Sequence, residues 1–268
     1  MGASSDETSS DETSSDETGD DALGYAARVA VLRREGEVIL GLPVARHLDK
    51  MVPTCPDWTV ADLAGHLARV YNWAGSIVEG RLEAPPDRGS LPRRPEGASP
   101  VDWLEDRRDR LVRALEGAAG DRAPIWNFGP RSANASWWAR RQQHETTIHR
   151  VDFERALGSA LEPVGAEEAA DLLDELFEIV RIEEVALDDL EKADGLWIHL
   201  HATDLDGAEW TIDTAAKAVT RSHMKGDVAV RAPMWALARW AWGRAGPGEV
   251  EVFGDLASAE SWRRSVII

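Results

Sequence analysis

The sequence predicts a bundle of α-helices followed by a smaller α+β domain, and three observations predict it. Apolar residues recur at helical spacing from about Asp21 to Leu157, interrupted by proline- and glycine-rich breaks. Beyond a further amphipathic stretch the apolar period shortens to two, the signature of half-buried strands. Finally, 43% hydrophobic residues in a chain of 268 suffice for two modest cores. The expected organisation is an acidic tail over 1–21, a four-helix bundle over 22–162 and an α+β domain over 163–268.

The first segment carries three tandem SSDET copies from Ser4 to Thr18, too polar to offset the entropy of chain ordering. It is expected to be disordered and to act as a solubilising extension, the alternative being a charged docking arm. The net charge is −18, from 48 acidic and 30 basic residues, but eight of the acids lie in the first 21 positions. A moderately acidic remainder works against binding to phosphate backbones or anionic lipid, both of which need a basic surface. Neither nucleic acid nor membrane is an expected partner. No secretory signal and no long apolar span is visible, and the single cysteine, Cys55, excludes an internal disulfide and suits a reducing compartment, so a cytoplasmic location is expected.

A first helix spans Leu23 to Leu40 and ends near Gly41-Leu42-Pro43. The second is better marked: in Val52-Pro53-Thr54-Cys55-Pro56-Asp57-Trp58-Thr59 the prolines hold an extended entry, Thr59 can cap, and Asp62 completes a capping-box arrangement. It runs to about Glu79. Five prolines from Pro85 to Pro100 punctuate a long loop, and a third helix follows with Trp103, Leu104, Leu111, Val112 and Leu115 on its apolar side. After a turn at Trp126 to Pro130, a fourth helix spans Asn134 to Leu157 and stops before Gly158. Ala166 to about Leu187 forms a linking helix. Leu196 to His201, Glu209 to Ile212 and Lys217 to Thr220 read as strands, with a turn at Asp204 to Gly207. Pro233 opens a helix through Trp242, Glu249 to Phe253 is a last strand, and Leu256 to Trp262 a closing helix.

Chemistry emerges once polar residues are placed on these elements. Glu145 and His149, four apart, share one face of the fourth helix, where a carboxylate and an imidazole can bind one cation or form a solvated pair. His144 does not extend this to HExxH, because it lies five residues from His149 and diverges from it. His66 sits one turn after Asp62 among Leu63, Ala64, Leu67 and Val70; such an imidazole either bonds a carbonyl in the core or becomes a ligand from a second helix. Cys55 lies in a proline-flanked turn with no base nearby in sequence, which favours a structural role over that of a nucleophile. Trp103, Trp137, Trp138, Trp240 and Trp242 lie on apolar faces and read as core, whereas the loop residues Trp58 and Trp126 are pocket candidates.

The run from Val52 to Leu63 leading to His66, and Arg140-Arg141-Gln142-Gln143-His144-Glu145 leading to His149-Arg150-Val151-Asp152, closely resemble the mycothiol-dependent maleylpyruvate isomerase family of the DinB-like superfamily. Asp174-Glu175, Leu200 to Asp204, Trp242-Gly243-Arg244 and Val250 to Asp255 are similar to that family's C-terminal domain, so the likeness covers nearly everything after the tail. It implies a DinB-like four-helix bundle in which His66, Glu145 and His149 bind zinc and Asp152 lies close to the metal as a catalytic residue that either orients the thiol or shuttles a proton. It implies that Arg244 reaches from the second domain to hold a substrate carboxylate. Asp57 stands where the family often has glycine. The implied activity has a zinc-activated mycothiol thiolate add to the cis double bond of maleylpyruvate, with rotation and elimination giving the trans isomer. The same thiolate in a mycothiol S-transferase, or a metal- and thiol-binding sensor without turnover, are the alternatives. Substrate choice is expected to depend on the loop from Arg81 to Pro100 and on a cleft between the domains.

Overall fold

The computed structural model of the chain describes residues 24–129, 134–183 and 195–265. The acidic repeats, the end of the Trp126 turn at Pro130 and the linking helix beyond Glu183 lie outside the described residues. Four helices, α1 (Tyr25–Gly41), α2 (Val60–Gly80), α3 (Pro100–Gly117) and α4 (Ala135–Leu157), form the expected bundle. α2 packs along α3 and α1 along α4, around a core that includes Leu32, Ile39, Leu63, Leu67, Leu111, Trp138 and Phe153.

The second domain holds α5 (Ala166–Glu183), a five-stranded mixed sheet, α6 (Met234–Ala241) and α7 (Leu256–Ser265). Its strands are β1 (Trp197–Ala202), β2 (Glu209–Asp213), β3 (Ala218–Thr220), β4 (Val228–Ala232) and β5 (Glu251–Phe253), in the order β3-β2-β1-β4-β5. Only β1 and β4 are parallel. Alternation places Ile198, Leu200, Trp210, Ile212, Val228 and Val230 in the core with Leu173, Leu176, Leu237, Trp240 and Trp262 from the helices. The opposite face carries His199, His201 and Glu209.

The sequence reading missed β4, whose small alternating residues take their meaning from β1, their partner about 30 positions earlier in the chain. The expected strand at Glu249 to Phe253 is shorter because Pro247–Glu249 winds into a 3-10 turn. Among the described residues, no helix is long and apolar enough to cross a membrane.

The two domains meet along a polar seam. α4 is buried over most of its length yet rich in charge, and its Arg140, Arg141 and His144 face acids of α5. Arg140 pairs with Asp171 at 2.9 Å and Glu178 at 2.7 Å, Arg141 with Glu175 at 2.6 Å, and Arg28 of α1 with Asp171 at 2.6 Å. His144 sits 3.0 Å from both Asp171 and Glu175, so it diverges from Glu145 and His149 as expected and serves the seam instead. Buried charges are costly to desolvate unless paired, so the seam constrains how α5 docks on α4.

Candidate metal centre

Local sequence rules set the entry to α2. Thr59 accepts a hydrogen bond from the Asp62 amide at 3.2 Å while Asp62 accepts from the Thr59 amide at 2.9 Å, the reciprocal capping box that starts the helix. The preceding turn closes through Cys55 N–H to Val52 O and Trp58 N–H to Cys55 O, both 3.1 Å. Asp57 lies in the left-handed region at φ 68°, which explains why glycine suits that position; aspartate is among the few other residues that enter it readily. α4 begins at Asn134, which caps the Ser136 amide at 3.0 Å, and ends at Gly158 with φ 71°.

These two starts fix the phase of both helices so that His66 of α2 meets Glu145 and His149 of α4. His66 Nε2 and His149 Nε2 each lie 3.2 Å from the same oxygen, Oε1 of Glu145. The two imidazole rings are 4.9 Å apart and nearly perpendicular. All three donor atoms fall within 4.8 Å of one another. In a tetrahedral zinc site with ligand bonds of about 2.0–2.1 Å, ligand atoms stand about 3.3 Å apart, which the two 3.2 Å separations from Glu145 Oε1 match. Two imidazoles and one carboxylate are also a donor set that leaves a fourth position for a non-protein ligand.

The supports behind the three are equally ordered. His149 Nδ1 lies 2.8 Å from Asp152 Oδ2, the carboxylate–histidine contact that directs the other ring nitrogen toward a metal. Asp152, fully buried, also receives the Thr54 hydroxyl and two guanidinium donors of Arg244, each at 3.1 Å. Arg244 donates further to Trp242 O at 2.7 Å and lies 3.8 Å from Cys55 Sγ. It therefore reaches the site from the second domain, as the resemblance implies, and its guanidinium is engaged by Asp152. On the other side Arg141 holds Glu145 Oε2, and Glu175 holds Arg141.

Electrostatics follow from these contacts. Burial opposes ionisation of Glu145, but Arg141 and His149 outweigh it and hold the carboxyl well below its usual range. Asp152 is likewise buried and held low by Arg244 and His149. Burial of Cys55, reinforced by Asp152 and only partly countered by Arg244, pushes its thiol up to about 12. Cys55 thus touches the site at 3.5 Å from Asp152 but stays a protonated thiol, a poor nucleophile in keeping with a structural role. Thr54, Arg141 and Glu175 are the participants that sequence reasoning passed over; only the i,i+4 spacing of Arg141 and Glu145 offered a local signal.

Without metal, the His149 ring stands as an imidazolium between two carboxylates. Burial favours its neutral form, yet Glu145 and Asp152 outweigh burial and raise its pKa from 6.5 to about 9. A folded-state value above the ordinary one adds stability that is fully present below about pH 6.5 and lost as pH rises through about 9. Urea unfolding of chelator-treated protein should show a decline on the order of 3 kcal/mol over that window. His144, raised by Glu175 and Asp171 against its burial, contributes with the same sign, so His149→Gln is the control. An equally steep decline in the variant would show that the two carboxylates do not hold the His149 ring.

Two cavities adjoin the three residues. The larger, about 810 Å³, is walled by His66, Arg69, Trp73 and Trp103 of the bundle and by Arg88, Arg93 and Arg94 of the loop before α3. The second, about 370 Å³, touches Glu145, Arg141, Trp73, Arg88, Trp126 and Phe128. Trp126 is thus a pocket wall, and Trp58 stacks at an angle on His66 with ring centroids 4.8 Å apart. Both of these cavities are built from the bundle and the 81–100 loop, the loop on which substrate choice is expected to depend. The second domain contributes Arg244 from behind.

Comparison with known proteins agrees with this architecture. Residues 30–154 match the mycothiol maleylpyruvate isomerase N-terminal domain, and residues 167–261 match that family's C-terminal domain. No curated protein sequence matches the chain. Crystal structures of the mycothiol-dependent maleylpyruvate isomerase and of a histidine-to-alanine variant of it each superpose with a TM-score of 0.55 at 17% identity, over 88% of this chain and 95% of theirs. At that identity the superposition speaks for the fold, and the two matched domains in their order speak for descent: the chain belongs to the mycothiol-dependent maleylpyruvate isomerase family.

Proposed function

We propose that this protein is a zinc-dependent enzyme that uses mycothiol as a thiol cosubstrate on a small electrophile, with maleylpyruvate-like cis–trans isomerisation as its reaction. The observation that carries this reading is the convergence of His66 and His149, from two helices, on one oxygen of Glu145 at 3.2 Å each. A divalent ion held there would supply Lewis acidity, stabilising a bound thiol as its thiolate near neutral pH. The protein residues prepare that chemistry. Asp152 keeps the remaining proton of His149 on Nδ1, so that Nε2 presents a lone pair to the ion.

Arg244 and Thr54 hold Asp152 in place, contacts that support a positioning role for Arg244 beside the substrate-carboxylate role the resemblance implies. Arg141 engages one Glu145 oxygen and leaves the other as ligand. Trp58 packs against His66 and Trp73 lines both cavities, and Arg69, Arg88, Arg93 and Arg94 give the larger one a cationic wall within an acidic protein. That wall suits a substrate bearing carboxylates, whose approach it would favour. A cytoplasmic location belongs to the same reading, since a thiol cosubstrate has to be kept reduced.

The test is to incubate the zinc-loaded full chain with mycothiol and a panel of electrophiles that includes maleylpyruvate, and to analyse the products by mass spectrometry. Isomerised product with mycothiol regenerated is the expected result. A stable mycothiol adduct would replace the isomerase by an S-transferase, and bound thiol without turnover would replace both by a sensor.

A further inference from the structure

A second cluster lies on the face of the sheet away from its core. The chain has seven histidines, and three of them meet at one carboxylate there. His199 and His201 are two apart on β1 and so share a face, and β2 places Glu209 directly opposite His201. His199 Nε2 lies 2.8 Å from Glu209 Oε2, the oxygen that His223 Nδ1 also contacts. His201 Nδ1 stands 3.2 Å from the other oxygen, Oε1.

The chain after β3 is shaped to deliver His223. Thr211 of β2 donates to Ser222 O at 2.9 Å, which ties the residue before His223 to the sheet. Gly226 then lies so close to β1 that a Cβ would stand 2.7 Å from Trp197 O and 3.0 Å from His199 N, so only glycine lets the segment lie flat there. The donor atoms of His199, Glu209 and His223 fall within 4.8 Å of one another.

We propose that His199, Glu209 and His223 form a second site for a divalent first-row transition ion of the zinc class, with His201 orienting the carboxylate through its other oxygen. The donor set is that of the bundle site, two imidazole nitrogens and one carboxylate oxygen, which suits zinc, cobalt or nickel better than the hard ions magnesium and calcium. His199 is buried and sets one ligand, while the largely exposed His223 side chain can rotate to open the shell and admit the ion. Bound metal would fasten β1, β2 and the 221–227 segment to one another. This inference does not depend on the proposed activity.

Equilibrium dialysis of the untagged full chain against Zn²⁺ or Co²⁺, with metal content and the visible Co²⁺ spectrum as readouts, tests it. Two ions per chain are expected in the wild type. His223→Ala, which removes an exposed side chain and leaves the core intact, should weaken one of the two sites by at least tenfold and leave the other unchanged. His66→Ala should remove the other site and spare this one, so failure of either site is seen separately. Wild-type protein that binds no ion outside the bundle, or a His223→Ala variant with unchanged affinity at both sites, would overturn the proposal and leave the cluster as hydrogen-bonded histidines around a carboxylate.

Discussion

His66→Ala is expected to release the metal and abolish turnover while leaving a folded bundle. In the proposed centre His66 is the α2 ligand; without it an ion would be left with Glu145 and His149, two donors on one helix. Loss of a ligand exceeds the about 10- to 100-fold penalties of losing a supporting contact, so metal retained through dialysis and activity should both fall at least 100-fold. The fold should survive, because the His66 side chain is 28% exposed and Glu145 keeps its partner Arg141. Circular dichroism and urea unfolding should place the variant within about 1 kcal/mol of the metal-free wild type. A variant with full metal content and full turnover would remove His66 from the site.

Asp152→Asn should damage both stability and metal binding, for separable reasons. The substitution leaves the Arg244 guanidinium, 6% exposed, beside a neutral amide, and an uncompensated buried charge costs about 3–5 kcal/mol. It also removes the carboxylate that orients His149, which should weaken zinc binding about 10- to 100-fold. Asp152→Asn combined with Arg244→Met removes the orphaned charge, so stability should recover while zinc affinity stays low. Unfolding curves and zinc titrations of the three variants decide the matter. A single variant as stable as wild type would show that Asp152 does not neutralise Arg244, and parallel recovery of both properties would show that Asp152 acts only through packing.

Much of the bundle was legible because its signals are local. Thr59 and Asp62 cap α2 within one turn, Asn134 and Gly158 bracket α4, and Glu145 and His149 share a face by spacing alone. Local spacing could not say that His66 would meet that face, since 79 positions separate it from Glu145; the likeness to a known family supplied that expectation. β4 went unread because its strand character lies in pairing with β1. Arg244 was expected from the likeness to face the site, but its partner depends on the docking of two domains, and Asp152 lies 92 positions away.

By itself the sequence determined the helices, four of the five strands and the family, because periodicity, capping and motif spacing act between near neighbours. Only the tertiary structure decided that Asp152 neutralises Arg244, that Cys55 lies against Asp152, that two cavities adjoin His66 and Glu145, and that three histidines gather around Glu209. Those outcomes depend on which distant charges come within a few ångströms in a desolvated interior, where each buried charge requires a partner, and chain order does not encode that proximity.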